Sequence, residues 1–181
     1  MTIHLLQDKS AALTGTLADW ASARGYSLNA VRLDSNEQLP ELFEVDLLVC
    51  LDQQSSSAPA AQQLLEACQL AGRPVLTNAG AYIGTMELAT ELDRLATLPR
   101  HNYRRIDCGY YDHIELSIIR RTRRPVRIRT FSGFEELTDA LLTDTRTVRG
   151  EEYVQVDGRG WVRADWVELV GVSLDGSCAT E

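Results

Sequence analysis

Arg104-Arg-Ile-Asp-Cys-Gly-Tyr-Tyr-Asp-His-Ile-Glu-Leu-Ser-Ile-Ile-Arg-Arg121 is where the chain changes character. Its centre reads as a short loop entering a helix over 112–121. Asp112 is spaced to act as an N-cap, accepting a hydrogen bond from a backbone N–H two or three residues on. Glu115 follows at the spacing of a capping box. Ile114, Leu116, Ile118 and Ile119 supply a broad apolar face. Arg120 and Arg121 fall in the last turn, where positive charge suits the helix dipole. An acidic entrance and a basic exit are also what any well-capped surface helix would show.

Downstream, the hydrophobic period shifts from helical to alternating. Pro125–Phe131 sets Val126, Ile128 and Thr130 against Arg127 and Arg129, the pattern of a half-exposed strand. Ser132-Gly133 is a turn. Leu137–Thr147 reads as a second strand, although Phe134–Leu142 also has helical spacing. Arg149-Gly150 turns into Glu152–Val156, and Asp157-Gly158-Arg159-Gly160 is a tight hairpin signal. Trp161–Arg163 and Trp166–Val172 complete the set. Short strands with tight turns in so few residues imply a small barrel. Residues 173–181 read as a loose tail.

Four pieces of this half resemble the Rho-binding antiterminator family, the Rof-type inhibitors of transcription terminator Rho. They are Ile106-Asp-Cys-Gly-Tyr-Tyr-Asp-His-Ile-Glu-Leu116, Val126-Arg-Ile-Arg-Thr130, Thr143 through Val154, and Trp161 through Leu169. The resemblance covers about residues 103–172. It implies an Sm-like barrel with one N-terminal helix. It also implies binding to the RNA-capturing N-terminal region of Rho, which lets transcription continue through terminators. The acidic positions carry over as Asp112 and Glu115, with Asp107 just ahead. Tyr110 or Tyr111 would be an aromatic anchor, Tyr111 being the one at the motif position, and Arg149 a polar contact. Gly109 and Tyr110 stand where the family often has further acids.

The first 98 residues read as an α/β unit. Strands are expected at 2–6, 27–33, 45–51 and 74–78. Helices are expected at 10–24, 60–71 and 81–98, with a short helix or turn at 37–43. This alternation implies a parallel sheet with helices on both faces, a flavodoxin- or Rossmann-like arrangement. Leu17-Ala-Asp-Trp20, Ala23-Arg-Gly-Tyr26, Val31-Arg-Leu-Asp34, Asp46-Leu-Leu-Val49 and Gly72-Arg-Pro-Val-Leu76 resemble the start of a class I glutamine amidotransferase domain. A generic flavodoxin-like fold accounts for the same pattern. In the amidotransferases a cysteine nucleophile follows; here Ala79 stands in its place, and a methyl group cannot attack an amide carbon. Thr77, Asn78 and Gly80 form a possible ligand loop at a strand's C-terminal end. A plain turn with Gly80 at a positive φ is the favoured reading. Three parts are expected: 1–98, 103–172 and the tail 173–181.

Composition narrows the function. The chain has 181 residues, 44% of them hydrophobic, and a formal net charge of −8. Residues 1–100 carry 12 acids against 6 bases, and residues 101–181 carry 14 against 12. Such a balance argues against direct nucleic-acid binding and suits a basic partner. The exception is Arg120–Arg129, with six arginines in ten residues. There Arg120, Arg121, Arg123 and Arg124 are candidates for RNA contact. The pairs Glu135-Glu136 and Glu151-Glu152 read as solvated charge. The cysteines are Cys50, Cys68, Cys108 and Cys178, with no C-x-x-C spacing; Cys50 and Cys68 read as buried thiols. No catalytic constellation, metal-ligand cluster or phosphate loop emerges, so neither enzyme activity nor a cofactor is expected. No leader or membrane span is expected, and a reducing cytoplasm is the expected location. Nothing in the residues bears on oligomeric state. Two functions stand: a Rho inhibitor, or an RNA-binding or ligand-sensing module with no Rho contact.

Overall fold

A computed structural model describes residues 1–7, 13–35, 37–50, 58–82, 87–98 and 102–172. The chain divides into two compact units, Met1–Asn102 and Tyr103–Glu181.

The first unit is built on a four-stranded parallel sheet. Its strands are β1 (Thr2–Gln7), β2 (Ser27–Arg32), β3 (Leu47–Cys50) and β4 (Val75–Leu76), in the order β2-β1-β3-β4. Leu5 of β1 lies beside Ala30 on one side and Val49 on the other. Strand side chains alternate between faces. Ile3, Leu5, Leu47 and Val49 therefore share one face, where they form a core with helices α1 (Leu13–Ala23) and α3 (Glu87–Ala96). Leu17, Trp20 and Ala21 point inward from α1, and Leu88, Leu92 and Leu95 from α3. Trp20 Nε1 donates to Asp93 at 3.1 Å, and Arg24 pairs with the same carboxylate at 2.7 Å, tying the two helices together.

His4, Leu6, Leu48 and Cys50 turn to the other face. Helix α2 (Pro59–Leu70) buries Ala61, Leu64 and Cys68. Its Cys68 lies near enough to Cys50 for the two thiols to influence one another. Burial pushes the Cys68 thiol up to about 12. Cys50 and Cys68 are both buried, as expected, and Cys108 is exposed; Cys178 lies outside the described residues.

Among its described residues the second unit has one α-helix and five antiparallel strands. Helix α4 (Cys108–Ile119) leads into β5 (Arg123–Thr130), β6 (Gly133–Val148), β7 (Glu151–Val156), β8 (Gly160–Arg163) and β9 (Val167–Leu169). The sheet order is β8-β7-β6-β5-β9, so the first and last strands lie side by side. β8 and β9 are the two edges and do not pair with each other. β6 is long: its first half pairs with β5 and its second with β7, with an irregularity between Leu142 and Asp144. A bulge of this kind bends a strand from one partner to the next.

Several expectations change. The helix expected at 112–121 starts about one turn earlier, with Asp107 as its N-cap. The Asp107 side chain accepts from the Gly109 N–H at 2.8 Å. Asp112 is therefore mid-helix, and Glu115 makes no capping box. The broad apolar face also divides: Tyr110, Ile114 and Ser117 are inside, while Leu116 and Ile119 are exposed. Phe134–Leu142 is strand despite its helical spacing, because it pairs along β5. In the first unit, the strand at 74–78 shortens to two residues. The helix at 81–98 becomes a 3-10 turn, Ala79–Tyr82, followed by α3. The element at 37–43 is a 3-10 turn, Leu42–Glu44. The left-handed residue of the 77–80 loop is Asn78 (φ 55), and Gly80 belongs to the 3-10 turn. The tail at 173–181 lies outside the described residues.

His4 makes the first unit acid-sensitive. It is 5% exposed, and its Nδ1 has no hydrogen-bond partner. Burial lowers its pKa below the ordinary 6.5, against the opposing pull of Glu44 and Asp46; Asn29 faces its Nε2. The unfolded chain then binds the proton more readily than the folded one. This contribution to stability is complete above pH 6.5 and is lost as pH falls below it. Urea titrations of the wild type and His4→Leu between pH 7 and about 5 should show a decline that the variant lacks.

Candidate protein-docking face

The Tyr110 phenol ties helix α4 to β9. The Tyr110 hydroxyl donates to the Val167 carbonyl at 2.8 Å and accepts from the Leu169 N–H at 2.6 Å. Burial raises the Tyr110 pKa, which keeps the donor proton in place. Ser117, two turns on, donates to the His113 carbonyl at 2.7 Å and accepts from Arg124 at 3.2 Å. Tyr110, Ile114 and Ser117 share the inner stripe, so residues about half a turn away face solvent. Those are Asp112, Glu115, Leu116 and Ile119, all exposed. Tyr111 is half-buried beside them, and Asp107 caps the helix.

Hydrogen bonds and ion pairs together single out two of these residues. Between 103 and 172, Asp112 and Glu115 have no partner among the described residues. Every other acid in that span has one. Asp107 accepts from Gly109, Asp144 from the Thr145 N–H, and Glu152 from Tyr103. Glu135 pairs with Arg159, Glu136 and Glu168 with Arg127, and Asp139 and Asp157 with Arg123. Glu151 and Asp165 belong to Arg163.

Arg163 is the centre of a buried charge cluster that sequence reading missed. Its side chain is 1% exposed. It holds Asp165 through Nε at 2.8 Å and Nη2 at 2.5 Å, with Glu151 at 3.9 Å. Its guanidinium lies over the rings of Trp166 and Tyr103. Tyr153 donates to Glu151, and Tyr103 to Glu152. Burial, then the Glu152 carboxylate, raises the Tyr103 pKa and keeps its hydroxyl protonated. The Arg104 N–H also reaches Asp165, at 3.1 Å. The segment entering α4 is thus strapped to the strands. Glu151 is no solvated charge; alternation turned it inward while Glu152 stayed half-exposed. The signal available in the sequence was the strand period of 151–156.

The other sequence candidates lie elsewhere. Arg149 is exposed in the β6–β7 turn, where its φ of 53 and the Gly150 φ of 81 mark a two-residue turn with both φ positive. Arg120 and Arg121 do not fall in the last turn of α4 as expected: Arg120 is its C-cap and Arg121 follows in the left-handed region (φ 49), both exposed. Arg123 is committed to Asp139 and Asp157, and Arg124 to Ser117 and the Val170 carbonyl at 3.4 Å. The six-arginine run is therefore partly neutralised within its own unit. Thr77 and Asn78 are exposed after β4. Strand order reverses between β1 and β3, however, which is where open α/β sheets place ligands. Ala79 is fully buried. Among the described residues no His, Cys, Asp and Glu gather in a group that could hold a metal ion, and no helix is long and apolar enough to cross a membrane. No family model matches the chain, and no curated protein is significantly similar to it.

Arg163→Ala would leave two carboxylates buried without their cation, costing roughly 3–5 kcal/mol. Asp112→Asn with Glu115→Gln should leave stability unchanged, since neither group is used within the fold. Denaturant unfolding of the two variants compares these outcomes directly.

Proposed function

We propose that this protein binds the RNA-capturing region of transcription terminator Rho and inhibits Rho-dependent termination, acting by occupancy and not as an enzyme. The observation that carries the reading is the pair Asp112 and Glu115. The two carboxylates matching the Rof-type motif are the two that make no hydrogen bond or ion pair among the described residues of 103–172. A site that captures RNA holds phosphates with Lys and Arg, and exposed carboxylates on a rigid helix suit the same cations. A helix followed by five antiparallel strands, with the last beside the first, supports an Sm-like arrangement, although the sheet stays open between β8 and β9 and does not close into the expected barrel. Tyr111 and Asp107 flank the acids, and Arg149 is the polar contact from the sheet. Its left-handed backbone, where Asn or Gly is favoured, is a modest cost accepted at an exposed tip.

For the first unit we propose a flavodoxin-like, non-catalytic module. Its β2-β1-β3-β4 order matches the start of the flavodoxin-type order. Ala79, fully buried at the position a nucleophile would need, supports the absence of amidotransferase chemistry.

Titration of purified Rho with the full chain, with and without single-stranded RNA, tests the first proposal. Saturable, salt-sensitive binding that RNA displaces, weakened about tenfold or more by Asp112→Asn with Glu115→Gln, is the expected result. No binding to Rho at low salt would sink it. RNA binding by the chain alone, lost on Arg120→Ala with Arg121→Ala, would favour an RNA-binding module. Arg149→Asn should stabilise the β6–β7 turn by about 0.5–1 kcal/mol while weakening Rho binding; a change in stability alone would remove Arg149 from the interface.

A further inference from the structure

Resting on the Rho-binding reading, we propose that Leu116 and Ile119 form the apolar half of the docking face and fill a base-stacking surface of the partner's RNA site. Asp112 and Glu115 take its phosphate-binding cations. Ile119 is 75% exposed and Leu116 40% exposed, the former the most exposed large apolar side chain among the described residues. The two stand three residues apart and so share a ridge with Asp112, which is four residues before Leu116. At about 1.5 Å per residue, Ile119 lies roughly 6 Å along the helix from Glu115 and roughly 10 Å from Asp112. The inner stripe of α4 runs through Tyr110, Ile114 and Ser117, so Ile119 lies largely in water and Leu116 is only partly covered among the described residues.

The occupant follows from the combination. A site that captures single-stranded RNA pairs a cationic groove with apolar faces on which bases stack. A competitor fits it best by offering carboxylates and an apolar side chain at fixed spacing on one rigid element, and α4 offers both. The two halves have separable signatures. Charge governs encounter rate and salt dependence, whereas buried apolar contact governs dissociation.

The test is stopped-flow and equilibrium binding of the full chain to Rho over a range of salt. Ile119→Ser should weaken binding about tenfold to a hundredfold, mainly through faster dissociation, with the salt dependence of the wild type. Ile119→Met should retain binding, and Leu116→Ser should act in the same direction as Ile119→Ser. Asp112→Asn with Glu115→Gln should instead flatten the salt dependence. Wild-type binding to Rho that both serine variants keep within about twofold overturns this inference alone. A serine effect that sedimentation traces to loss of a dimer of this chain overturns it too, assigning the ridge to a second copy. No wild-type binding at low salt overturns the Rho reading and this inference together. Unchanged thermal unfolding of the serine variants checks that the fold is intact.

Discussion

Two hydrogen bonds at the Tyr110 hydroxyl set the rotation of α4. One is donated to Val167 and the other accepted from Leu169, so the phenol bridges consecutive backbone groups of β9. A helix can roll on a sheet at little cost when only apolar groups meet, because dispersion and burial are not directional. A buried hydroxyl with two partners is directional, and leaving its partners unsatisfied costs about 1–3 kcal/mol. With the roll fixed, the inner stripe is determined. Everything on the outer ridge, from the two carboxylates to Ile119, then follows from helical geometry.

The Arg163 cluster does the same for the segment that enters the helix. A guanidinium almost fully removed from water requires nearby negative charge, and Asp165 and Glu151 supply it from the 3-10 turn Ala164–Trp166 and from β7. The aromatic rings of Tyr103 and Trp166 close over the cation. Arg104 bonds to the same Asp165, so the start of the unit is held by the charges that hold its last strands. Buried ion pairs are weak evidence of net stability, since desolvation offsets much of the attraction. Their geometry nevertheless restricts where residues 103 and 104 run, and hence where Asp107 caps α4.

These restraints explain how a unit rich in both signs of charge presents so selective a face. Seven of the twelve acids between 103 and 172 are matched to arginines, Arg123 and Arg127 each serving two. Exposed pairs of this sort add little stability. They neutralise part of the arginine run, Arg123 and Arg127, while Asp112 and Glu115 on α4 keep no partner among the described residues.

Periodicity was enough to recognise the alternation of strand and helix before residue 98, the strand pattern after Pro125 and the turns at Arg149-Gly150 and Asp157–Gly160. These are local properties, set by backbone preference and by which side chains repeat on one face. The start of α4 was not legible: Asp107 and Asp112 are both acceptable caps, and the choice between them came from Tyr110 reaching β9. Nor was the strand identity of 134–142, which hydrogen bonds to β5 imposed on a helical pattern. The burial of Arg163 and Glu151, the exposure of Ile119 and the lack of partners for Asp112 and Glu115 among the described residues are likewise tertiary. Each depends on which residues distant in sequence come within bonding distance, and no local pattern of one element specifies its neighbours.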